Sequence, residues 1–166
     1  ADAYENRFRG FIEETVLPPD STGVTFYSYR NLGRGITRGA DVEAVVRLGR
    51  VRVEGGAGVL RAFDPRTDFA LLNRPAANGR LALTGTVWRG LAGTVNAVWT
   101  GRAPVARSET GIATYRDDFL RVNARLTQTL ARRGYGELQL QLGVNNLLEA
   151  RPEFWPGFTG RQVYTG

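Results

Sequence analysis

The sequence predicts an all-β chain, an antiparallel up-and-down transmembrane β-barrel of which about eight strands are present. Three observations predict it. Apolar and polar residues alternate with a period of two, the pleat of a strand and not the repeat of a helix. Tight and long connections alternate along the chain, so one end of the sheet carries turns and the other carries loops. The apolar parity is mostly aliphatic and nearly free of charge over the ~9–11 residues a tilted strand needs to cross a bilayer.

Strands are expected over 3–14, 24–48, 51–62, 80–88, 91–100, 118–130, 137–148 and 160–166. In the first, Tyr4, Phe8 and Ile12 oppose Glu5, Arg7 and Arg9. In the second, Val42, Ala44, Val46 and Leu48 oppose Asp41, Glu43 and Arg47. The third sets Val51, Val53, Gly55, Ala57 and Val59 against Arg52 and Glu54. The fourth carries Leu81, Leu83, Gly85 and Val87 on one parity. The fifth sets Leu91, Gly93, Val95, Ala97 and Trp99 against Thr94 and Asn96. In the sixth, Leu120, Val122, Ala124, Leu126 and Leu130 oppose Arg121, Asn123, Arg125, Thr127 and Thr129. In the seventh, Leu138, Leu140, Leu142 and Val144 oppose Glu137, Gln139, Gln141 and Asn145. The last is GRQVYTG.

Gly49-Arg50 and Arg89-Gly90 are tight turns, and 131–136 is also short. The stretches 15–23, 63–79, 101–117 and 149–159 are long and hold all 7 Pro.

Alternation alone leaves open which face meets lipid. A soluble up-and-down barrel would turn its leucines inward around a small apolar ligand. An outer-membrane barrel turns them outward and keeps a polar interior. The polar parity mixes Arg, Glu, Gln and Asn, which suits a wet lumen or a polar plug. Trp88 and Trp99 lie near opposite ends of adjacent strands, where interfacial aromatic girdles sit, although each would also suit a packed core.

Composition narrows the function classes. The 166 residues hold no Cys and no His, which removes thiolate metal sites, disulfides and the commonest general base. Net charge is +6, all of the basic residues being Arg. They are spread along the chain, which argues against a nucleic-acid groove. Asp117-Asp118 and Glu13-Glu14 are adjacent carboxylates, and neighbours on a strand point apart, so neither is a shared-proton dyad. GRGITRG follows no strand-to-helix switch, so it is not a phosphate cradle. No enzyme is expected, and no cofactor.

Two groups are candidate binding residues. The polar parity supplies Arg52, Glu54, Arg121, Arg125, Gln139 and Gln141, facing a lumen where a plug or an anionic substrate would touch them. Their alternative role is internal charge pairing on a solvated wall. The loop RPEFWPGF supplies Phe154, Trp155 and Phe158, aromatics suited to gripping an apolar ligand or partner, or to folding over a barrel mouth.

Several stretches together resemble a known family. AYENRFRGFI is similar to an aromatic strand of the "FYNDIKDLI" type. YRNLGRGITRGADVE resembles "Y-x-N-x-G-x-A-x-x-x-G-x-E", with Asn31, Gly33, Gly39 and Glu43 in matching places. LLNRPAANGRLAL carries the "N-R-P" that leads into a later strand. LQLGVNNLLEARPEF resembles "V-x-N-L-F-D-x-x-Y" through Val144, Asn146, Leu147 and Glu149, with Leu148 in place of Phe. GRQVYTG resembles the start of a final strand. The order and spacing resemble the C-terminal third of a TonB-dependent outer-membrane receptor.

That resemblance implies a barrel of about 22 strands with a plugged lumen. It implies a bacterial outer-membrane location and uptake of a scarce nutrient, such as a ferric siderophore or cobalamin, driven by the TonB complex. Residues 1–166 would be the C-terminal part of the barrel domain, without a plug or TonB box. The implied partners are outer-membrane lipid, the remaining strands and plug, and the TonB complex through an N-terminal part. This segment alone would not transport. From the residues alone, Asn146 at a strand end could satisfy loop backbone, and Gly39 could permit a bulge or a close approach.

Overall fold

The computed structural model describes residues 1–10, 12–16, 27–31, 33–108, 111–134, 136–152 and 160–166. In chain order the strands are β1 (Asp2–Arg9), β2 (Ile12–Val16), β3 (Tyr27–Asn31), β4 (Arg34–Leu48), β5 (Val51–Phe63), β6 (Ala77–Trp88), β7 (Leu91–Thr100), β8 (Ala103–Arg107), β9 (Ala113–Arg116), β10 (Phe119–Arg133), β11 (Gly136–Asn145) and β12 (Gln162–Thr165). Eight of them form one antiparallel sheet in the order β1-β4-β5-β6-β7-β10-β11-β12. The pairs β2–β3 and β8–β9 are separate hairpins inserted between neighbours, so the sheet remains a meander.

Three expectations about the elements need correction. The stretch 3–14 does not run as one strand, and neither does 24–48. The chain breaks at Gly10 and Gly33, with φ of 70° and 73°, a left-handed conformation that favours glycine. The Gly10 N–H donates to the Gly33 carbonyl at 2.8 Å, which closes the base of the β2–β3 hairpin. The stretch 101–117 is not a plain loop, because β8 and β9 pair within it.

The sheet has almost no interior. Ala62, Leu71 and Ala103 are the buried apolar residues among those described. Leu120, Leu126, Leu138 and Leu140 are 41%, 45%, 60% and 54% exposed. A soluble barrel would need these side chains to meet one another, and they instead stand on one open face. Across that face the register lines up uncharged rows. One runs Val46, Val53, Leu83, Val95, Ala124, Val144 and Val163. Another runs Leu48, Val51, Gly85, Gly93, Leu126 and Leu142.

On β4 the uncharged outward run covers residues 40–48. Nine residues at ~3.4 Å each, tilted by about 40°, rise roughly 23 Å, close to the ~25 Å apolar band of an outer-membrane barrel.

Two bulges keep this face apolar where strict alternation would not. Between Thr86 and Trp88 the register slips, and Trp88 falls opposite Leu91. Trp88 would otherwise share a face with Thr84 and Thr86. It now stands on the aliphatic face, 72% exposed. Trp99 stands on the same face at the other end and donates its Nε1–H to Asp118 Oδ2 at 2.8 Å. An apolar ring with a polar tip bonded toward water suits a bilayer boundary. Between Thr129 and Ala131 the second slip turns Arg132 onto the polar face opposite Glu137.

The first strand is reversed from the sequence reading. Tyr4 pairs with Gly39 and Phe8 with Gly35, which puts both aromatics on the polar side of the sheet. Glu5 pairs with Arg38, Arg7 with Ile36 and Arg9 with Arg34 on the aliphatic side. The reason is local. Gly39 has no side chain, and the Tyr4 ring lies over it so closely that a Cβ would stand 2.5 Å from Cζ. The close approach at Gly39 is therefore made by a neighbouring aromatic.

Candidate functional site

The polar face is the side on which chemistry can be built. Register places Arg52, Glu54, Arg121, Arg125, Gln139 and Gln141 on this single face. Arg52 lies in one cross-strand row with Thr84, Thr94 and Arg125. Three strand steps of ~4.8 Å put those two arginines roughly 14 Å apart along the row. Arg121 falls in another row, beyond Val98 and Arg80. The six do not converge on a point; they pave a wall.

Much of that wall is paired internally. Arg52 is bonded to Glu54. Arg80 reaches Glu43 at 2.6 Å across two strands. Glu137 accepts from Thr129 Oγ1 at 2.9 Å, from Gln139 Nε2 at 3.1 Å and from Arg132 Nη2 at 3.1 Å. The Glu43–Arg80 and Arg132–Glu137 pairs escaped the sequence reading. The first joins residues 37 apart, and the second depends on the bulge. Only register reveals either. Arg47 faces Arg52 directly, and like charges so placed repel. With Arg125 these two make a basic stretch on the polar face.

The long-loop end caps this face. Leu71 folds back onto Ala62 through its N–H to the Ala62 carbonyl, at 2.9 Å. The two pack with Leu60 into a small cluster. Arg66 bonds the Asp64 carboxylate at 3.1 Å, and that hydrogen bond holds its guanidinium pKa above the ordinary value. The β8–β9 hairpin leans on the same segment. Arg107 bonds the Ala70 carbonyl and its guanidinium lies 4.6 Å from the Phe69 ring. Arg116 is buried to 5% exposure, and burial lowers its pKa. A cleft of about 340 Å³ beside it is lined by Asp117, Asp118 and Arg151 among others.

Asn146 closes the last described turn in the way its position suggested. At φ 51° it donates from Nδ2 to the Ala150 carbonyl at 3.0 Å, and its Oδ1 accepts the Ala150 N–H at 3.0 Å. Its own N–H donates to Asn123 Oδ1 at 2.8 Å. The role is structural. Phe154, Trp155 and Phe158 lie outside the described residues. Among the described residues, no group of three acidic side chains gathers to hold a metal.

Comparison with known proteins matches this architecture. The family model described as TonB dependent receptor-like, beta-barrel, matches residues 1–147. No curated protein matches the chain. Among solved structures, the ferric enterobactin receptor PfeA of Pseudomonas aeruginosa, in a mutant form, superposes with a TM-score of 0.66 at 16% identity. That match covers 90% of this chain and 23% of the receptor. The FrpB iron transporter of Neisseria meningitidis gives 0.62 at 16%, covering 98% and 27%. The ferric-catecholate import receptor Fiu of E. coli gives 0.61 at 15%, covering 88% and 20%. The chain thus spans about a quarter or less of the length of these structures, and at such identity the likeness concerns the fold.

Proposed function

The chain belongs to the TonB-dependent receptor β-barrel family, and from that premise we propose that it forms the C-terminal part of the barrel of a nutrient-uptake receptor. Barrels of this family reside in the bacterial outer membrane, and its members are transporters and not enzymes. The carried nutrient in this reading is a scarce one, such as a ferric siderophore or cobalamin. The structural neighbours named for ferric enterobactin and ferric-catecholate import support the siderophore side of that choice.

The observation that carries the reading is the two-sided sheet. Its aliphatic rows stand exposed on one face, and Arg52, Glu54, Arg121, Arg125, Gln139 and Gln141 stand on the other. In the proposed receptor that second face borders the lumen. Its arginines meet the plug or an anionic substrate, while the paired carboxylates keep the wall from being uniformly basic. The aromatics Phe154, Trp155 and Phe158 would offer an apolar grip on that substrate. The remaining strands and the plug are supplied by the rest of the receptor, whose N-terminal part engages the TonB complex, so this segment alone moves nothing.

The test is uptake by the full-length receptor that carries this segment. Cells expressing it are expected to accumulate labelled ferric siderophore or cobalamin, and to stop when TonB is deleted. Uptake indifferent to TonB, or no uptake of either class by a receptor present in the outer membrane, contradicts the proposal.

A further inference from the structure

At the long-loop end the aliphatic face changes character. Its outward rows become charged: Glu5, Arg38 and Arg61 in one, Arg7, Ile36 and Phe63 in the next, Arg9 and Arg34 in the last. Arg38 and Arg61 are directly opposed, as are Arg9 and Arg34. Such like-charged pairs are unfavourable unless something answers them. Two carboxylates do so in part. Glu5 bonds Arg7 at 2.7 Å and Arg38 at 2.5 Å, and Asp68 bonds Arg61 at 2.8 Å. Five guanidiniums against two carboxylates leave the patch basic. The Phe63 ring holds two of them in place, with Arg61 4.7 Å and Arg38 5.7 Å from its centroid.

Immediately toward the bilayer the side chains shrink. The next outward row is Ala3, Ala40, Val59 and Ala77, and Ala57 and Trp99 follow. These six line most of a shallow, largely apolar trough of about 620 Å³, which Asp2, Asp41 and Asn78 also border from the row of opposite parity. Its size falls in the ~300–1,000 Å³ range of ligand sites. An apolar trough and a basic patch thus adjoin, at the height where the bilayer's apolar band ends.

We propose that this is a binding site for a membrane lipid with a net-anionic phosphate headgroup. The phosphate sits among Arg7, Arg38 and Arg61, and one acyl chain lies in the alanine-lined trough. Planar guanidiniums suit phosphate oxygens through paired hydrogen bonds. The chain's presence over small side chains restores a smooth outer wall. The site rests on the lipid-facing orientation of the aliphatic rows, and it is distinct from the lumen that the transport reading uses.

The full-length receptor, purified in mild detergent, is titrated with phosphatidylglycerol, phosphatidylcholine or inorganic phosphate and read by native mass spectrometry. Phosphatidylglycerol is expected to bind in preference to phosphatidylcholine. Inorganic phosphate should not displace it, because the acyl contact would be missing. The Arg38→Ala/Arg61→Ala double variant is expected to weaken that binding about 25-fold, fivefold for each interfacial cation at ~1 kcal/mol. Ala40→Leu fills the trough without touching charge and faces lipid, so it should fold and weaken the binding of both lipids. Arg89→Ala, in a turn at the opposite end, should bind as the parent does. Equal binding of both lipids, or an unchanged affinity in the double variant and in Ala40→Leu, overturns the lipid site alone. A receptor that stays monomeric in detergent-free buffer overturns the membrane orientation and the site with it.

Discussion

At the scale of single residues, the account turns on where a side chain points. Leu140 lies on the aliphatic face and Gln141 on the polar one. In the full receptor folded into vesicles, Leu140→Arg should cost about 2–4 kcal/mol if it lies near midplane, while Gln141→Arg should be mild. Denaturant titration of the two variants checks this. A second prediction concerns the glycine-on-tyrosine contacts. A Cβ at Gly143 would run into the Tyr164 ring, and its three nearest atoms all belong to that ring. Gly143→Ala should therefore cost about 1–3 kcal/mol, an overpacking penalty. In a Tyr164→Ala background that penalty should vanish. Gly39→Ala should behave differently. Its Cβ would meet Tyr4 and also the Val59 carbonyl oxygen at 2.8 Å. Removing the Tyr4 ring leaves the backbone clash, so rescue there should be incomplete. Double-mutant cycles on both pairs distinguish the two cases.

At the scale of elements, bulges decide which face a strand end presents. Removing Leu130 would restore strict pairing between β10 and β11. It would keep Ala131 opposite Leu138 and Arg132 opposite Glu137, the register the bulge now provides. Such a deletion is therefore expected to fold into membranes, as Arg132→Gln should, and heat-modifiable migration on gels reads both; a deletion variant that fails to fold contradicts this role of the bulge. Within the eight-stranded sheet, the strands between 34 and 145 were legible because aliphatic side chains within an apolar band must repeat at every second residue. Arg52, Glu54, Arg121, Arg125, Gln139 and Gln141 could be grouped for the same reason. The polarity of β1 was not legible. Outside the band the aliphatic rule lapses, and Glu5, Arg7 and Arg9 stand on the outer side because no hydrocarbon forbids them there. Tyr4 and Phe8 read as apolar but serve to cover Gly39 and Gly35. The β8–β9 hairpin was hidden by the shortness of APVAR and ATYR, one of which contains Pro104. The pairing of Glu43 with Arg80 needs the register of three strands, which no local pattern carries.

For the whole molecule, the sheet is open, with β1 and β12 at its edges. Unpaired strand edges and an exposed aliphatic face both invite association. The isolated segment is therefore expected to aggregate in detergent-free buffer, and light scattering of a dilute sample reads this. The central claim is that leucine and valine rows face acyl chains while the arginine and glutamine rows face water. The most direct test attaches spin labels one at a time at 120, 121, 125, 126 and 138–141 of the full receptor in vesicles. Labels at Leu120, Leu126, Leu138 and Leu140 should collide mainly with lipid-soluble oxygen. Labels at Arg121, Arg125, Gln139 and Gln141 should instead be shielded from it, wherever the wall is wet or covered by a plug. Leucine positions shielded from oxygen while the arginine and glutamine positions report lipid would contradict the account.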